Sequence, residues 1–240
     1  MTKDTSEIIE ASKATQNIAK TASKALGTVE KFGGYVSKYV SGSFEQIAGM
    51  FEDKLSYIRW ERQERLFLQA QRFLKNEGID KPNKPIPLKY IVPLLQAASL
   101  EENDQLQDLW AKLLVNFSVV HSSIEATRTY IDILERISPL EAEIINAIYL
   151  NPYGAMHHNG VGTQKLPTAA GVLPDKMDED ARKATEVEPS NEIKLALANL
   201  DRLGVLSVRR SMGGGQLFGA INPTLLGKSF YNACTLPSEK

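Results

Sequence analysis

Cysteine is nearly missing from this chain: Cys234 stands alone. A lone cysteine excludes an internal disulfide framework and any cysteine-based zinc site, and it fits a reducing compartment. Long apolar runs are missing too. No stretch approaches the roughly 18 consecutive apolar residues of a membrane-spanning helix. The opening MTKDTSEIIE has no basic leader before an apolar core, so no secretory signal is expected. Net charge is close to absent, at -1, which excludes a strongly basic protein. There are three histidines, His121, His157 and His158, and none sits in a Ser/His/Asp or Cys/His arrangement. No catalytic residue, metal site, cofactor or small-molecule substrate is nominated.

What charge there is lies unevenly. Residues 91–150 carry a net -6, while 51–90 and 191–240 each carry +3. An acidic middle between basic flanks points to separate faces for separate partners.

The strongest pattern lies in residues 94–117. Leu106, Leu109, Trp110, Leu113, Leu114, Phe117 and Val120 recur at three- and four-residue steps, with Gln107, Asp108 and Lys112 on the other side. This predicts an amphipathic helix with a broad buried stripe. Ser99 with Glu102 three residues on predicts a capping box at its start. Glu101, Glu102 and Asp104 suit the positive end of the helix dipole.

Residues 1–50 keep a helical beat, but alanine stands where a core helix would have leucine, and five glycines weaken it. The expectation is an amphipathic N-terminal arm, either loosely docked or used for oligomerisation or for contact with a membrane surface through its lysines. Residues 51–76 predict a firm helix. Its arginines interleave with Trp60 and Phe67, a pattern seen in nucleic-acid patches. A solvated face paired to Glu61 and Glu64 explains it as well. Gly78 and three prolines then make a connector, and residues 88–98 predict a short buried helix containing Pro93. Ser123 is expected to open the next helix. Ser138-Pro139-Leu140-Glu141 is a second capping box, with proline at the first helical position.

Residues 151–190, rich in glycine, proline and acid, predict an inserted loop. A helix capped by Ser190 or Asn191 follows, then two strand-like runs around Gly213, Gly214 and Gly215, which read as one β-hairpin, then a last helix. Helix, helix, hairpin is the order of a winged helix-turn-helix. The predicted fold is therefore mainly α: a helical arm (1–50), a helical domain (51–137) and a winged-helix-like domain (138–240) with the 151–190 insertion.

That module points to duplex DNA, since a helix can enter the major groove while a wing meets phosphates. The candidate contacts are Lys194, Asn199 and Arg202 on the helix and Arg209 and Arg210 on the wing. Against them stand Glu192, Asp201 and a low cation count. The alternative is a winged helix used to bind protein. Gly227-Lys228-Ser229 mimics the end of a phosphate-binding loop, but Asn222 occupies the position of its first glycine. His157 and His158, with Asp175, Asp178 and Asp180, match no metal-ligand spacing. Glu101, Glu102, Asp104 and Asp108 could bind a divalent ion, but capping and dipole complementarity already account for the first three.

Three segments together carry a resemblance: EDKLSYIRWERQERL (52–66), IPLKYIVPLLQAASLEENDQLQDLWAKLLVNF (86–117) and YIDILERISPLEAEII (130–145). LALANLDRLGVLSV (195–208) and NPTLLGKSFYNAC (222–234) extend it. They resemble the Abi-alpha family of bacterial proteins linked to abortive infection, that is, phage defence. The resemblance implies a cytoplasmic or membrane-peripheral defence protein and transfers no catalytic residues. The expected function is a non-enzymatic effector or regulator acting through protein contacts, with itself or another chain, or through a membrane surface. The alternative is a DNA-binding regulator.

Overall fold

The computed structural model describes Tyr39 and residues 56–239, apart from His121, Ser123 and Met177. The expected arm, except Tyr39, lies outside the described residues. The helix expected to open at Ser123 begins only at Arg128, because residues 124–127 are not helical and the side chain of the extended Thr127 supplies the cap. The chain is mainly helical with one small antiparallel sheet.

Helix α1 (Ser56–Asn76) buries Leu66, Phe67, Ala70, Phe73 and Leu74 at helical spacing. It ends where Gly78 takes φ +72 and the Ile79 N–H returns to the Leu74 carbonyl. Helix α2 (Leu88–Ala98) keeps Pro93 inside and buries Ile91, Leu94 and Leu95. Helix α3 (Asp104–Ser118) is the central piece. Packed against α1, α2 and three helices described below, it buries Trp110, Leu113, Leu114 and Phe117 at 1% exposure or less.

Two details of its expected pattern are corrected. Ser99 does not cap α3: it ends α2, and its hydroxyl donates to the Gln96 carbonyl. The cap is Asn103, which accepts from the Leu106 N–H. Gln107 is buried rather than solvated, because its Nε2 donates to the Ala98 and Glu101 carbonyls at 2.7 and 3.0 Å. Those carbonyls have no helical partner at the chain reversal, so an amide satisfies them.

Helices α1 and α3 run side by side in the same direction. Arg62 meets Glu102 at 2.7 Å, Arg65 meets Asp104 at 2.5 Å, and the Gln69 amide donates to Asp108 at 2.8 Å. Arg62 and Arg65 thus pair across helices, not with Glu61 and Glu64.

Helix α4 (Arg128–Leu134) is capped by Thr127, and α5 (Pro139–Tyr149) starts with the expected Ser138–Glu141 capping box. The 151–190 region is not an unstructured insertion. It forms α6 (Tyr153–Asn159), β1 (Val161–Gly162), β2 (Gly171–Val172) and α7 (Glu179–Glu186). Helix α8 (Asn191–Arg202), capped by Ser190, leads into β3 (Leu206–Arg210), β4 (Gln216–Pro223) and α9 (Leu225–Ala233). The hairpin expected from β3 and β4 is present. It belongs to a four-stranded sheet in the order β2-β1-β4-β3, with Val161 opposite Ile221. Two-residue strands leave no alternating signal, so their pairing was not visible in sequence.

Gly227 explains the apparent phosphate-loop remnant. A Cβ there would overlap the Val205 carbonyl and the Tyr149 hydroxyl. That hydroxyl donates to Val205 O at 2.5 Å and accepts the Thr224 N–H at 3.1 Å, joining α5 to both ends of the hairpin. Burial pushes the Tyr149 phenol from its ordinary 10 up to about 12.

A group whose folded pKa is raised contributes stability below its unfolded value, and that contribution is lost as pH rises through the folded value. Stability is therefore expected to fall between pH 10 and about 12 through Tyr149. Tyr149→Phe should leave the Thr224 N–H without its partner, cost about 1–2 kcal/mol near neutral pH, and flatten that alkaline decline. Urea unfolding at pH 7 and across the alkaline range measures both.

Candidate functional site

Two places merit description: the outer side of α8 with the β3–β4 hairpin, and a cleft where α3, α5 and α9 meet.

On the first, each nominated residue has a protein partner. Lys194 Nζ lies 3.2 Å from Glu188 Oε2. The Phe218 N–H, and then Lys194, hold the Glu188 carboxyl below its usual range. Asn199 Nδ2 donates to Glu141 Oε1 at 2.7 Å and to the Arg136 carbonyl at 3.2 Å. Glu141 Oε2 accepts the Ser138 N–H at 2.6 Å. Arg202 closes the chain by donating Nε and Nη2 to Asn199 Oδ1 at 3.1 and 2.7 Å. Asn199, expected as a DNA contact, thus clamps α8 to the capping box of α5. Arg209 Nη2 donates to the Asn159 carbonyl at 3.3 Å, and Arg210 lies 4.0 Å from Asp201. Arg202 and Arg210 are exposed, and Arg209 is half-buried. Large apolar side chains stand out instead: Leu195 on α8 is 74% exposed, Met212 at the hairpin tip is fully exposed, and Leu217 is exposed on β4.

The second place was not anticipated. A cleft of about 310 Å³ has an apolar floor that includes Leu109, Ile145 and Phe230. Its polar rim holds Asp108, Lys112 and Glu239. Lys112 Nζ sits 2.7 Å from Glu239 Oε1 and 5.7 Å from the centroid of the Phe73 ring. The Cys234 thiol lines the cleft but is buried, and burial pushes its pKa up despite nearby Lys112. A thiol held neutral is a poor nucleophile. The sequence signal for this cleft was faint: one lysine beside the apolar stripe of α3, far in sequence from Glu239.

The remaining candidates resolve locally. His157 stacks on Tyr153, with ring centroids 5.3 Å apart. Asp175 accepts from Asn159 Nδ2 at 2.6 Å. Glu101 accepts the Glu102 and Asn103 N–H groups. Among the described residues, no three His, Cys, Asp or Glu side chains gather as metal ligands would, and no helix is long and apolar enough to cross a membrane.

A family model described as abortive infection alpha matches residues 61–234. The chain belongs to the abortive infection alpha family. The match runs from within α1 to Cys234, so it takes in α3 and the four-stranded sheet, and all of the cleft lining except Thr235 and Glu239. No curated protein and no solved structure matches the chain. Membership in the abortive infection alpha family supplies a defence context, and it confirms the resemblance carried by the α1, α3 and α5 segments.

Asn199→Ala is expected to leave buried Glu141 without its side-chain donor and to cost about 1–3 kcal/mol, the range for a hydrogen bond to a charged group. Arg202→Ala, at an exposed position, should change stability by no more than about 0.5 kcal/mol. Denaturant unfolding of the two variants side by side tests whether Asn199 is a packing clamp.

Proposed function

We propose that this abortive infection alpha protein is a non-enzymatic, cytoplasmic effector or regulator of bacterial phage defence that works by binding protein. The observation that carries the reading is Leu195, an apolar side chain 74% exposed on the outward side of α8. A helix that reads base edges needs polar side chains with unsatisfied donors and acceptors there. On α8 the candidate polar groups are engaged with Glu188, Glu141 and Asn199. With Met212 and Leu217, Leu195 leaves apolar surface exposed on this module, and exposed apolar surface is what a protein partner would cover.

The module reads as winged-helix-like. Its support is the order α5, α8, β3, β4, together with the antiparallel pairing of β1 to β4. In this reading the winged helix serves as a protein-docking unit, and duplex DNA is the rival ligand.

Leu195→Asp in the full chain is expected to abolish protection of a bacterial host in a phage plating assay, with the unfolding midpoint unchanged. Arg209→Ala with Arg210→Ala should leave protection intact. The DNA reading wins if the wild-type chain binds duplex with a steep salt dependence, if the double arginine variant loses that binding, and if Leu195→Asp still protects.

A further inference from the structure

We propose that the cleft between α3, α5 and α9 is a binding site for a small amphiphilic carboxylate, with Lys112 receiving its head group and Glu239 as its built-in competitor. This does not depend on protein docking at α8.

The cleft already holds a carboxylate at the right place. Glu239, on the short 3-10 turn Pro237–Glu239, sets Oε1 2.7 Å from Lys112 Nζ and Oε2 3.0 Å from the Leu236 N–H. Below that head group the floor is apolar, and about 310 Å³ of space remains. That is the lower end of the volume range for small-molecule sites, which are mostly apolar with a few placed polar groups. Charge selects the ligand class. Among the described residues Lys112 is the only cation on the lining, and its side chain is 18% exposed. Asp108, one turn earlier on α3, accepts from Gln69 Nε2 and disfavours a second negative charge beside it. A single carboxylate on an apolar body fits; a multiply charged phosphate fits poorly.

Glu239 holds its place weakly. Its side chain is 39% exposed, so solvent screens its half of the ion pair. Outside the cleft the turn is tied to Glu77, whose Oε1 accepts from both the Ser238 N–H and the Ser238 hydroxyl. An external carboxylate that also covers the floor gains apolar burial, which the short Glu239 side chain leaves unrealised. Such a ligand would touch α3 together with α5 and α9.

The test is isothermal titration of the full chain with decanoate and with decanol, below the concentration at which decanoate forms micelles. Wild type should bind one decanoate. Glu239→Gln should bind it about two- to sixfold more tightly, because a weakly held internal competitor lowers apparent affinity in proportion to the fraction of time it leaves the site free. Lys112→Gln should lose most of the affinity, and decanol should bind more weakly than decanoate to wild type and Glu239→Gln alike. Equal decanoate affinity in wild type and Glu239→Gln overturns the proposal. So does decanol binding as tightly as decanoate, or no decanoate binding to Glu239→Gln. Should Lys112→Gln fail to fold, the comparison of wild type with Glu239→Gln decides alone, since Glu239 lies at an exposed turn.

Discussion

Asn116 lies near the end of α3, 3% exposed, and donates its Nδ2 to the Ala233 carbonyl at 2.8 Å and to the Thr235 carbonyl at 3.1 Å. The last carbonyls of a helix have no partner within it, and burying them unsatisfied is costly. Here a side chain more than a hundred residues away accepts that task for α9. The interaction fixes where the chain goes after Cys234. It brings the 3-10 turn over α3, sets Glu239 against Lys112, and closes one wall of the cleft. The polar contact is buried, so its geometry is demanding, and the surrounding apolar packing of Phe117, Tyr130 and Phe230 holds it.

A second polar hub does comparable work at the end of α5. Tyr149 joins α5 to the start of β3 and to the end of β4, and Gly227 lets α9 approach it closely. With Asn199 and Glu141 holding α8 to α5, the sheet and its helices form one packed body with the helices before them. Side chains that sequence reading offers to a ligand are the same ones that internal packing uses. That competition shifts the functional reading from the arginines and asparagine to the apolar groups that remain exposed.

Much of the helical layout was legible. The 3.6-residue beats of α1, α3 and α5, the Ser138–Glu141 capping box and the Ser190 cap are local signals, and local physics decides them. The β3–β4 hairpin was legible for the same reason, through its glycine turn. The family resemblance rested on these segments as well. The start of α3 misled because Ser99 and Asn103 are both competent caps, and only the packing of α2 on α3 chooses between them.

The amino-acid sequence by itself determined the class of protein: mainly helical, near neutral in net charge, and built from the segments of a defence family. These follow from composition and from patterns within a turn or two of helix. Only the tertiary structure decided that residues 151–190 feed two strands into the sheet, that Asn199 serves packing, and that Lys112 meets Glu239 across a cleft. Each of those rests on groups brought together from distant parts of the chain, and periodicity carries no information about such pairs.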